Sequence, residues 1–128
     1  MNEDFVPYEL AVKLKEKGFN RPCCGYYHIG KGDDSFEACI SSDFLNSLNE
    51  YRVGAPTISQ VLKWLREAKN VFIEISITTS GYYSTVYSNI DLTLANKTTY
   101  YQEYVGATNE DYNNCVLEAI EYVLDNLL

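Results

Sequence analysis

Positive charge is scarce in this sequence and nearly absent from its second half. Ten Lys and Arg face eighteen Asp and Glu, a formal charge of −8. General attraction to DNA, RNA or an anionic bilayer needs an excess of cations, so neither direct nucleic-acid binding nor membrane binding is expected. Long apolar runs are also missing. Nothing approaches the ~18 residues that span a bilayer, and Met1-Asn2-Glu3-Asp4 is acidic where a secretory signal needs cations. The expectation is a cytoplasmic protein. No phosphate-cradling loop is present, because Gly30-Lys31-Gly32 lacks the following glycine and the helix start.

What is present is an ordinary globular composition, 128 residues at 46% hydrophobic and 22% charged. It predicts a single domain over residues 1–128 with enough core to fold without staples. The charge is unevenly laid out. Residues 1–70 hold nine basic and ten acidic side chains, whereas residues 71–128 hold Lys97 alone against eight acids. Eight of the twelve tyrosines also fall after residue 80.

The local patterns predict the elements. Pro7 fits a first helical position, Leu10, Ala11 and Leu14 share a face, and Gly18 with Phe19 makes a left-handed stop, so a helix is expected over 7–17. Cys23–Ile29 and Phe36–Ile40 are compatible with a small hairpin, and Asp43–Asn49 with either a helical turn or a loop. Thr57 with Gln60 is a capping box. Behind it Ile58, Val61, Leu62, Leu65 and Ala68 recur at helical spacing, with Trp64 at the margin. The period then becomes two: Val71, Ile73, Ile75 and Ile77 should line the buried face of a strand. A second strand is expected from Tyr82 to about Leu94 and a third over Thr98–Val105. Thr108 with Asp111 suggests a cap for a last helix whose stripe is Tyr112, Val116, Ala119, Ile120, Val123 and Leu127. The fold class that follows is α+β: a three-stranded antiparallel sheet with helices 57–68 and 109–127 packed on one face, plus the N-terminal helix and the small hairpin.

Cys23, Cys24, His28 and Cys39 are the candidate metal ligands, since thiolates with an imidazole suit tetrahedral zinc. Their spacing is wrong for a ribbon or finger, because the first pair is adjacent where two to four residues normally intervene. Buried reduced thiols, with no metal and no cofactor, are the expectation. A nucleophilic pair of Cys24 with His28 fails on reach, since four residues of strand separate them by about 13 Å.

Val6-Pro7-Tyr8-Glu9-Leu10-Ala11 through Gly18-Phe19, Arg21-Pro22-Cys23, Ala55-Pro56-Thr57 with Trp64-Leu65-Arg66-Glu67, and Leu117-Glu118-Ala119-Ile120 carry a resemblance. They resemble short proteins encoded by phages, prophages and mobile elements of Bacteroidetes bacteria. The resemblance implies a mobile-element origin and brings no activity, cofactor or catalytic residue with it. The element order after residue 57 also matches double-stranded RNA-binding domains, but the phosphate-contacting cations are missing from the last helix.

The tyrosines and acids define the candidate surface. If the isoleucine face meets the helices, the opposite face carries Phe72, Glu74, Tyr83, Thr85 and Tyr87, plus either Tyr101 and Glu103 or Tyr100 and Tyr104. Glu118, Glu121 and Asp125 add an acidic helix face. A contiguous exposed aromatic patch marks an interaction site. The function expected is that of a non-enzymatic accessory protein which binds another protein or itself through this surface, in one version as a nucleic-acid mimic. The alternatives are a small metal- or cysteine-dependent enzyme using Cys23–Cys39, and a structural homo-oligomer.

Overall fold

The structure, a computed structural model, describes residues 4–38, 44–45, 51–91 and 99–128. The described residues form a mixed α+β fold with three α-helices and two three-stranded antiparallel sheets. The chain divides into two compact units, residues 1–61 with Leu128, and residues 62–127.

In the first unit, α1 (Tyr8–Glu16) buries Leu10, Ala11 and Leu14. It ends in a full Schellman motif: Phe19 N–H donates to Leu14 O at 2.9 Å and Gly18 N–H to Lys15 O at 3.2 Å, with Gly18 at φ +93°. Phe19 is thereby drawn into the core. Five short strands follow. β1 (Pro22–Cys23) pairs with β4 (Phe44–Leu45), while β2 (Gly25–His28) lies between β3 (Glu37–Ala38) and β5 (Arg52–Gly54). The expected hairpin is present as β2–β3, though the first strand is interrupted at Cys24. Within the Asp43–Asn49 stretch, Phe44–Leu45 is extended; the remainder, like Cys39 and Ile40, lies outside the described residues. The chain before α1 runs beside the start of α2 (Ile58–Lys69), with Val6 N–H on Pro56 O at 3.0 Å and Ile58 N–H on Asp4 O at 2.9 Å.

The Thr57 capping box is formed. Gln60 N–H donates to Thr57 Oγ1 at 3.2 Å, and Thr57 N–H donates to Gln60 Oε1 at 2.8 Å. Along α2, Ile58, Val61 and Leu65 are buried as expected and Leu62 is half-buried, but two further positions differ from the pattern. Trp64 is buried rather than marginal, with Lys69 Nζ 5.5 Å from its ring centre, and Ala68 is exposed.

In the second unit, β6 (Val71–Thr78), β7 (Gly81–Asp91) and β8 (Thr99–Val105) form a meander in that order. The expected continuation of β7 past Asp91, with Leu92, lies outside the described residues. α3 (Tyr112–Asn126) packs on β6 and β7. It buries Cys115, Val116, Ala119, Ile120, Val123 and Leu124, each large apolar side chain contributing roughly 1.5–3 kcal/mol. The helix is not capped by Thr108. Asp111 is the cap, accepting from Asn114 N–H at 3.1 Å. Asn109 is held instead in an isolated bridge to Tyr82, with reciprocal backbone bonds of 2.7 Å, so the chain is still extended there. The isoleucine face of β6 also differs from expectation. Val71 is buried and Ile73 and Ile75 half-buried, but Ile77 is 80% exposed. Alternation fixes the face a side chain occupies, not whether a covering element reaches it.

Candidate interaction surface

Strand register assigns the paired strand residues to a face, because directly opposed residues share one. On one side of the sheet, Phe72 lies opposite Tyr87 and Tyr87 opposite Gln102; Glu74 opposes Thr85 and Thr85 opposes Val105; Ser76 opposes Tyr83. On the other side, Val71 opposes Ser88 and Ser88 opposes Tyr101; Ile73 opposes Val86 and Val86 opposes Tyr104. α3 covers this second face. Tyr122 stacks on Tyr104 at 4.0 Å between ring centres, and its hydroxyl donates to Glu103 O at 3.4 Å. At the start of the same helix, burial and the neighbouring Glu118 push the Cys115 thiol pKa up, while a hydrogen bond with Ser84 acts the other way.

The third strand fits neither expected pairing. A bulge lies between the Val86–Tyr104 and Tyr87–Gln102 pairs, leaving Glu103 as the extra residue. That extra residue shifts the parity, so Gln102 and Val105 join Tyr83 and Tyr87, while Tyr101 and Tyr104 fall on the α3 side. Thr85 is buried, a small side chain set between Glu74 and Val105 on the central strand.

The predicted surface therefore occupies three places. Glu74, Tyr83 and Tyr87 share the face away from α3 with Phe72, 38% exposed, and Val105, 51% exposed. Tyr101 is 66% exposed on the α3 side, and Glu103 accepts the Ser88 hydroxyl at 2.5 Å. Glu118, Glu121 and Asp125 form an exposed stripe along α3, with Asn109 Nδ2 donating to Glu118 at 3.2 Å. No Lys, Arg or His occurs in α3. The cations of the second unit are Lys63, Arg66 and Lys69 on α2, together with Lys97, so its acidity is concentrated in the sheet and the last helix.

The first unit holds a polar cluster that the sequence patterns did not reveal. His28 Nε2 lies 2.6 Å from Glu37 Oε2, and Tyr26 Oη donates to the same oxygen at 3.0 Å. Arg52, opposite His28 on β5, lies 4.7 Å from the centre of the Tyr26 ring. The hydrogen bond from His28 and then that from Tyr26 hold the Glu37 carboxyl below its usual pKa. Tyr26 and His28 stand two apart on one strand and Glu37 faces Tyr26 across the hairpin, so three members were readable from a correct register; Arg52 comes from a three-residue strand with no period of its own. The arrangement braces β3, β2 and β5 through side chains.

Among the described residues, no three His, Cys, Asp or Glu side chains converge as metal ligands. Cys23 is buried, with its thiol donating to Arg21 O at 3.4 Å, and His28 is turned to Glu37; Cys39 lies outside the described residues. No described helix is long and apolar enough to cross a membrane. Comparison with protein-family models, with curated proteins and with solved structures finds no match to this chain.

Proposed function

We propose that the protein is a non-enzymatic, protein-binding accessory factor of a phage or other mobile element, which meets a basic partner through the acidic stripe of α3 as a nucleic-acid mimic. The observation that carries this is the exposed row Glu118, Glu121 and Asp125 on a helix with no cation. Spacings of three and four residues set these carboxylates about 4.5 and 6 Å apart along the axis. That row is somewhat sparser than one DNA strand, with its charge every ~3.4 Å. α3 packs on one face of the β6–β8 sheet, and the opposite face, with Phe72, Tyr83, Tyr87 and Val105, offers a separate apolar contact.

Affinity capture from the native host, read by mass spectrometry, tests this with the wild type and with Glu118→Gln, Glu121→Gln and Asp125→Asn combined. The expected result is a basic nucleic-acid-binding protein that duplex DNA displaces and the triple variant does not retain. Partners without a basic nucleic-acid site, or equal retention by the triple variant, would overturn it.

A further inference from the structure

The two edges of the second unit's sheet are built differently. β8 is broken by irregularities in its pairing with β7 at two places, which is how natural edge strands are commonly blunted. β6 pairs with β7 without a shift from Val71–Ser88 to Thr78–Gly81 and contains neither Lys nor Pro. It is a regular eight-residue edge.

The direction of its free backbone groups follows from β7. The N–H and C=O of Tyr82 go to Asn109, and Ser84 O accepts from Gly106 N–H at 2.9 Å, both away from β6. Ile77–Tyr82 and Ile75–Ser84 are therefore non-hydrogen-bonded pairs, and by alternation so are Ile73–Val86 and Val71–Ser88. The N–H and C=O of Val71, Ile73, Ile75 and Ile77 thus point out along the edge. Among the described residues, no hydrogen-bond partner meets them there. Their side chains are the isoleucine row whose burial fades from Val71 to the exposed Ile77. Among the described residues, both the backbone ladder and the apolar row are incomplete along the same line.

We infer that β6 accepts an extended segment of a partner protein as an added strand, with apolar residues covering Ile73, Ile75 and Ile77 and basic residues alternating with them beside Glu74. Strand addition draws affinity from main-chain hydrogen bonds and specificity from alternate side chains. Charge decides the occupant. The described residues of the sheet carry Glu74, Asp91 and Glu103 with no cation, and α3 adds its own acids, so a second copy meets like charge and a basic segment meets opposite charge.

The inference rests on the acidic protein-binding reading, and its test separates the two. The probe is an eight-residue acetylated peptide alternating valine with lysine; the control peptide has the same charge but N-methyl groups along one backbone edge. Amide exchange followed by NMR on the full chain should show protection at Val71, Ile73, Ile75 and Ile77 with the probe alone. The control should bind about tenfold more weakly, a loss the size of one or two net hydrogen bonds. Ile77→Pro removes an outward donor at an exposed position, which an edge strand tolerates, and should weaken the probe by a similar factor. Equal binding of both peptides on the α3 stripe would overturn strand addition while leaving the acidic surface intact. Concentration-dependent protection of β6 without peptide would assign the edge to a second copy, and no protection from either peptide would also refute the inference.

Discussion

Tyr27 offers a test of the first unit's core that reads directly as stability against pH. Its side chain is 5% exposed, its hydroxyl donates to Val6 O at 2.5 Å, and its ring meets Tyr8 edge-on at 5.7 Å and Phe36 at 5.5 Å. Burial, and then the charge of Asp33, push its pKa from 10.0 up to about 12. A raised pKa means that the folded state keeps the proton longer than the unfolded chain. The contribution is thus complete below pH 10.0 and lost as pH climbs toward about 12. A rise of that size corresponds to at most about 2–3 kcal/mol. Tyr27→Phe should cost about 1–2 kcal/mol near neutrality, because the Val6 carbonyl loses a donor, yet should decline less steeply in alkali. Urea unfolding of wild type and variant at a series of alkaline pH values isolates this residue, since the two proteins differ only there. Parallel losses of stability above pH 10 would refute the reasoning.

Three further outcomes are expected. Thr57→Ala removes one half of the capping box on α2 and should lower stability by about 1 kcal/mol in urea unfolding. His28→Gln should raise the Glu37 pKa toward its usual value in an NMR titration. In the wild type, the Glu37 contribution is present above the unfolded carboxylate pKa and fades as pH falls through the lowered folded value. Gly81 sits at φ +132°, and a Cβ there would press on the Asn109 carbonyl, so Gly81→Ala should cost about 1–3 kcal/mol and speed proteolysis between β8 and α3.

Features whose causes are local were readable in advance. The Thr57–Gln60 box and the Gly18–Phe19 stop need only a few consecutive residues, and both formed at the expected positions. Strands β6 and β7 were legible because a period of two over eight residues is hard to mistake. β3 was anticipated inside the Phe36–Ile40 return strand, but β1, β4 and β5 were not resolved, because two or three residues contain no period and their pairing is decided by distant neighbours. The last helix shows the same limit. The box pattern put the cap at Thr108 with Asp111 as its partner, whereas the helix starts after Asp111 because Asn109 is drawn into a bridge with Tyr82, a partner 27 positions away.

For the candidate surface, the dividing feature is the bulge at Glu103. Up to that point alternation placed Phe72, Glu74, Tyr83 and Tyr87 together, as register confirms. One extra residue then moved Tyr101 to the other face, and no composition or spacing signals such an insertion. The acids of α3 were legible as a stripe from helical spacing alone. What spacing did not provide was their separation from the tyrosine face by the thickness of the sheet.

The proposed working face lies after residue 70, in the acidic sheet and last helix. Hydrogen exchange on the captured complex, compared with the free protein, tests it most directly. Exchange should slow along β6 and along α3 around Glu118, Glu121 and Asp125. Slowing confined to residues 4–61, with β6 and α3 unchanged, would contradict it.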